Sequence, residues 1–228
     1  MSELWLLIDA DDTLWENNIY FELAFDEFVN FLSHSHLSKS QIRKIFDDIE
    51  SVNIKTQGYG TENFGRNMQQ CYRHLAEHEW NEEDLNAVMA IAREVRDHPI
   101  ELLKGVENTL AYLAKFHHLT IYSKGQPKEQ QDKIERSGLK QYFQSCHIVK
   151  EKDVNGYRSL LSKSTHSPER TWMIGNSPKS DINPALKAGL GAVLIPHKNT
   201  WSLEHEPLPQ KTERLKIVRS FEELRILF

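Results

Sequence analysis

The sequence predicts an α/β fold: a Rossmann-like parallel sheet with helices on both faces, plus a small inserted all-helical domain. Three observations predict it. Short apolar runs alternate with amphipathic stretches through the C-terminal half. Most of those runs are apolar continuously, as strands covered on both faces are. About a hundred residues, nearly all of helical periodicity, separate the first run from the second. Strand alternating with helix implies parallel crossover connections.

Taken in order, the first run is "LWLLIDA", residues 4–10. The helical insertion follows. Residues 16–32 carry Ile19, Phe21, Leu23, Phe25, Phe28, Val29 and Leu32, and a second helix begins at Ser38 with Gln41 completing a capping box. Further helices span roughly residues 63–78 and 81–96, stopped by Pro99. "GYGTENFG", with Gly58, Tyr59, Gly60, Phe64 and Gly65, reads equally as a loop that inspects a substrate or as a flexible turn. The later strands are "LTIYS" (119–123), "CHIVK" (146–150), "TWMIGN" (171–176) and "AVLIP" (192–196). Helical stretches at 106–116, 127–137, 154–164 and 182–188 lie among them, with Gly138 and Gly189 placed as C-terminal caps. A weak strand and helix close the chain, with Ser220 and Glu223 spaced as a capping box. Residues 1–14 and 99–228 therefore form the core domain, and residues 15–98 a helical lid beside the acids that follow the first strand.

Composition narrows the function. The 228 residues are 39% hydrophobic and 27% charged, with net charge −5 and a pI near 6.1. That balance argues against a nucleic-acid or anionic-membrane surface, and no stretch approaches a membrane span or a signal peptide. Cys71 and Cys146 lie too far apart for a metal motif and read as reduced, buried thiols of a cytoplasmic protein. His74 and His78 stand one turn apart but not in a zinc-protease order, and read as solvated.

The polar residues at the strand ends carry the chemistry. Asp9, Asp11 and Asp12 crowd the end of a buried strand, where like charges require a neutralising partner such as a divalent cation. Alternation puts Asp9 and Asp11 on one face, with Ala10 between them. A polar turn in which Asp12 or Thr13 caps the next helix is the plainer alternative. Ligands of parallel α/β sheets bind at the carboxyl ends of strands. Three further polar clusters sit there: Ser123-Lys124-Gly125, Lys150-Glu151-Lys152-Asp153, and Gly175 through Asp181.

In this order the four clusters resemble the four motifs of the haloacid dehalogenase superfamily: "DADDTLW", "LTIYSKG", "VKEKD" and "WMIGNSPKSDINPALKAG". The helical insertion lies where that superfamily carries its cap. The resemblance implies that Asp9 is a nucleophile forming an aspartyl-phosphate, and that Asp11 is the acid–base with a raised pKa. Mg²⁺ would be held by the Asp9 carboxylate, the Asp11 carbonyl, and one or both of Asn176 and Asp181. Ser123, Lys124, Gly125 and Lys152 would bind the phosphoryl group, with Lys152 offsetting its charge. Lys150 competes with Lys152 for that part, and Lys152 is favoured because a helix containing Tyr157 follows it.

Two substitutions depart from the commonest pattern. Asp12 stands at the usual glycine and reads as a helix cap, and Asn176 replaces the first acid of the fourth motif. Lys179 reads as solvated, and Trp201, Glu204 and His205, near the rim of the site, as the start of a helix with ordinary packing in preference to substrate contacts. The function implied is a Mg²⁺-dependent phosphatase of a small phosphorylated metabolite, acting as a monomer or small homo-oligomer. A phosphomutase, a dehalogenase and a non-catalytic phosphate-binding module are the alternatives. Asp11 weighs against the dehalogenase, which needs no acid for its leaving group.

Overall fold

The computed structural model describes residues 3–210 and 212–228. Among them, strands β1 (Trp5–Ile8), β2 (His118–Lys124), β3 (Ser145–Val149), β4 (Thr171–Gly175), β5 (Gly191–Leu194) and β6 (Leu215–Ile217) form one sheet. Their order is β3-β2-β1-β4-β5-β6, and every pairing is parallel. Ile8 at the end of β1 pairs with Ile121 of β2 and Ile174 of β4. The chain therefore leaves β1 at the point where strand order reverses, which is where α/β sheets open a crevice.

Side-chain alternation builds two cores from one sheet. Leu6 and Ile8 pack on one face with Val106, Leu110 and Leu113 of α5 (Val106–Leu113), Ile134 of α6 (Pro127–Arg136) and Leu224 of α9 (Leu224–Leu227). Trp5 and Leu7 pack on the other with Tyr157 of α7 (Val154–Ser162) and Ala185 of α8 (Asn183–Lys187). The strand–helix alternation legible in the sequence thus becomes a three-layer α/β unit.

Three local features differ from expectation. β3 is an edge strand whose middle faces solvent, so Cys146 is exposed whereas Cys71 is buried. The helix after β4 begins as a π-helical turn, Pro178–Ile182, before α8. Ser220 makes no side-chain cap; a 3₁₀ turn, Phe221–Glu223, precedes α9, and the Glu223 carboxylate accepts instead from the N–H of Arg219 at 3.2 Å.

The chain divides into two compact units, residues 1–18 with 100–228, and residues 19–99. The second holds nearly all of α1 (Asn18–Leu32), together with α2 (Lys39–Gln57), α3 (Thr61–Leu75) and α4 (Glu82–Asp97). Its core joins Phe25, Phe28, Phe46, Met68 and Val88. The Arg43 guanidinium lies 3.4 Å over the Phe25 ring. Capping boxes form at Ser38–Gln41 and at Asn81–Asp84. Gly58 and Gly60 make the turn between α2 and α3, and Gly65 lies inside α3.

Candidate active site

The site grows from the end of β1. The Asp9 N–H still joins the sheet, donating to the Ile174 carbonyl at 2.9 Å, and then the N–H groups of Thr13 and Leu14 both fold back to the Ala10 carbonyl. The turn forces Asp12 to φ 57°, the left-handed region that glycine usually occupies. Asp12 offsets that strain by accepting from the N–H groups of Asn17 and Asn18 at 2.9 and 3.0 Å, where α1 begins. Burial pushes its pKa up to about 7.

Lys152 organises the next layer. Its buried ammonium donates to Asp9 Oδ1 and, at 2.7 Å, to Asp181 Oδ1. Burial works against this ammonium, but Asp181 and Asp9 outweigh it and hold its pKa above the usual lysine value. Asp9 is pushed up to about 7, first by burial and then, against the pull of Lys152, by Asp181. The second oxygen of Asp181 accepts from the Ser177 N–H at 3.0 Å, so this carboxylate also pins the turn after β4. Gly175 makes room for it: a Cβ there would come within 2.2 Å of Asp181 Oδ2. Lys150, in contrast, is exposed.

Asp11 corrects one expectation. Its carboxylate accepts from Trp15 Nε1 (2.8 Å), Gln130 Nε2 (2.8 Å) and Lys133 Nζ (2.7 and 2.8 Å). Burial opposes the charge, but Lys133 and these hydrogen bonds hold the pKa below the ordinary aspartate value rather than above it. Asp11 therefore rests as a carboxylate.

At the end of β2, Ser123 is buried and its Oγ lies 3.1 Å from Gln130 Nε2. Lys124 points the other way, to Ser180 Oγ (3.1 Å) and Glu204 Oε1 (2.5 Å). Glu204 also accepts from the hydroxyls of Ser177 and Ser180, at 2.5 Å each. It is thus not an ordinary helix start: it is a buried carboxylate joining the second and fourth clusters. Lys179 caps the Leu203 carbonyl at 2.9 Å from an exposed position.

The donor set fits a divalent cation. Thr13 Oγ1 lies 3.3 Å from both Asp9 Oδ2 and Asn176 Oδ1, so an anionic and a neutral oxygen converge on one hydroxyl. Lys133 is committed to Asp11, which leaves Lys152 shared between Asp9 and Asp181 and one negative charge in excess. Hard oxygens with a net charge of this kind suit Mg²⁺. Asp12, Glu16 and His197 also converge, with ligand atoms within 4.8 Å of one another. There the imidazole is already engaged, Nδ1 accepting from the Asn199 N–H at 3.3 Å and Nε2 lying 3.1 Å from Glu16, so the group reads as a structural contact.

With this geometry in place, the class is defined. The family profile of haloacid dehalogenase-like hydrolases matches residues 34–195, and the chain belongs to that family. It is 24% identical over 201 residues to a glyceraldehyde 3-phosphate phosphatase of Methanothermobacter thermautotrophicus, covering 83% of this chain and 84% of the relative. It superposes on a haloacid dehalogenase-like hydrolase from Xanthomonas campestris with TM-score 0.85 and 27% identity, over 99% of this chain and 94% of that one. The L-2-haloacid dehalogenase of Xanthobacter autotrophicus shares the fold at TM-score 0.65 and 12% identity, over 99% and 98%.

Gln130, Lys133 and Glu204 were not among the site residues read from sequence. One signal was available: Gln130 and Ile134 are the buried residues of α6, so an amide occupies a core-facing position.

Proposed function

We propose that this hydrolase cleaves a phosphate monoester of a small metabolite with Mg²⁺, by way of an aspartyl-phosphate on Asp9. The observation that carries the reading is a second carboxylate, Asp11, held two residues beyond Asp9 by three donors beside the Ser123 hydroxyl. Asp9 attacks phosphorus, the bond from phosphorus to the ester oxygen breaks, and that oxygen takes a proton from Asp11. Water then attacks the phosphoryl group, giving its proton to Asp11 and freeing Asp9. Because Asp11 rests deprotonated, it must gain a proton before the first step. The added negative charge of a bound phosphate favours that gain. Mg²⁺, held by Asp9, Asn176 and the Asp11 carbonyl, would supply charge neutralisation. Lys152 and Ser123 orient the phosphoryl oxygens.

Dehalogenation is the second reading, favoured by one observation: Asn176 makes the metal site less anionic than two acids would. Incubation with 4-nitrophenyl phosphate, with and without Mg²⁺, and separately with 2-chloropropionate distinguishes them. Mg²⁺-dependent phosphate release without chloride release is expected. Chloride release without phosphate would replace this reading, and turnover that requires a sugar bisphosphate would make the protein a mutase.

A further inference from the structure

Helix α6 lies outside the four motif clusters, yet it supplies two of the three side chains that hold Asp11. Gln130 and Lys133 stand one turn apart on it, which brings both to one face. The Lys133 ammonium reaches both Asp11 oxygens, at 2.7 and 2.8 Å, and Asn17 Oδ1 at 3.1 Å. The Gln130 amide nitrogen lies 2.8 Å from Asp11 Oδ2, 3.1 Å from Ser123 Oγ and 2.8 Å from the Lys124 carbonyl.

Burial of Gln130 is costly unless its polar atoms are matched. It is 3% exposed, and its Oε1 has no hydrogen-bond partner among the described residues. An apolar residue would serve the core of α6 better, so the amide answers to something other than packing. The backbone accommodates it as well. Gly125 has φ 146°, and a Cβ there would come within 3.0 Å of the Gln130 side chain. Glycine in the second cluster thus leaves space for Gln130.

We propose that Gln130 and Lys133 are positioning residues, which fix the Asp11 carboxylate and register it against the Ser123 hydroxyl. The inference rests on Asp11 being the acid–base group. An aspartate held by Trp15 alone could turn about its side-chain bonds; the grip from α6 leaves it one orientation. Proton transfer in the transition state depends on that orientation, and a displacement of about 1 Å can cost about a hundredfold in rate. The loss must be largest for poor leaving groups, which depend most on a proton.

The experiment is a double-mutant cycle with Lys133→Met, Asp11→Asn and their combination, alongside Lys133→Arg. Turnover is read on a series of substituted phenyl phosphates, and unfolding midpoints on the same proteins. Lys133→Met should slow the poorest leaving group by at least about tenfold and 4-nitrophenyl phosphate by less than about threefold. Lys133→Arg should recover most of the loss, and Lys133→Met should have no further effect in the Asp11→Asn background. The unfolding midpoints should be non-additive, which reports the pairing without any assay of activity. A uniform loss across the series, a further loss on top of Asp11→Asn, or additive midpoints would each overturn the proposal. If Lys133→Met does not fold, Lys133→Gln takes its place in the same cycle. If the wild type hydrolyses none of the esters, the phosphatase reading fails, and the midpoints still decide whether Lys133 holds Asp11.

Discussion

The Lys152 ammonium lies 2.7 Å from the Asp181 carboxylate, with 2% and 0% of the two side chains exposed. It serves Asp9 at the same time. Burial raises the pKa values of both Asp9 and Asp181, and the one buried cation they share pulls them down without fully offsetting it. Lys152→Met leaves both carboxylates without a cation. In metal-free urea denaturation the variant should lose about 3–5 kcal/mol, the usual penalty for removing one partner of a buried pair. Mg²⁺ should narrow that gap. A loss below about 1 kcal/mol would mean that the two acids are not jointly charged in the native state.

Asp11→Asn keeps size and removes the proton-accepting charge. Hydrolysis of poor leaving groups should slow by roughly two to four orders of magnitude, and of 4-nitrophenyl phosphate much less. Equal losses across leaving groups in steady-state kinetics would exclude Asp11 as the acid.

Glu204 gives a pH signature. Burial opposes its charge, but Lys124 and the hydroxyls of Ser177 and Ser180 hold its pKa below the usual value of 4.5. A lowered folded-state pKa contributes stability that is present above the unfolded value and is lost as pH falls through the folded one. Wild type should therefore exceed Glu204→Gln by about 1–3 kcal/mol near pH 7, and the gap should close as pH drops below 4.5. Denaturation midpoints measured from pH 7 downward test this; a gap that widens on acidification would contradict it.

The strands and the order of the clusters were legible because buried parallel strands are continuously apolar and each ends in residues that do not belong in a core. That contrast located the four clusters, and the resemblance of those clusters to the haloacid dehalogenase motifs singled out Asp9, Ser123, Lys152 and Asp181 within them. The grip on Asp11 was not legible. Lys133 looks like any solvent-facing lysine of α6, and its partner is distant in sequence, so only tertiary packing reveals the pair. For the same reason the raised pKa expected for Asp11 was reversed: its neighbouring acids are visible in the chain, but the cation that outweighs them is not. Glu204 closes a single 3₁₀ turn, Ser202–Glu204, too short to show a periodicity, and its burial depends on three partners from other segments. Cys146, which lies in no metal-type spacing, reads from sequence as a buried thiol, but the edge position of its strand leaves it in solvent.

The two thiols should differ in reactivity. Burial raises both thiols, that of Cys71 up to about 12, but of the two only Cys146 is exposed to a reagent. Titration with a chromogenic disulfide at pH 8 should find one reactive thiol in the native protein and both in guanidinium. Two fast thiols in the native protein would show that the core around Cys71 opens readily.

The central claim is that Asp9 carries the phosphoryl group, and trapping the intermediate tests it most directly. Enzyme with Mg²⁺ and ³²P-labelled substrate is quenched in acid during turnover, digested, and its labelled peptide identified. Label should appear on the peptide containing Asp9, and Asp9→Asn should show neither label nor turnover while unfolding at a midpoint no lower than that of the wild type. Steady phosphate release from Asp9→Asn, or label on any other residue, would contradict the account.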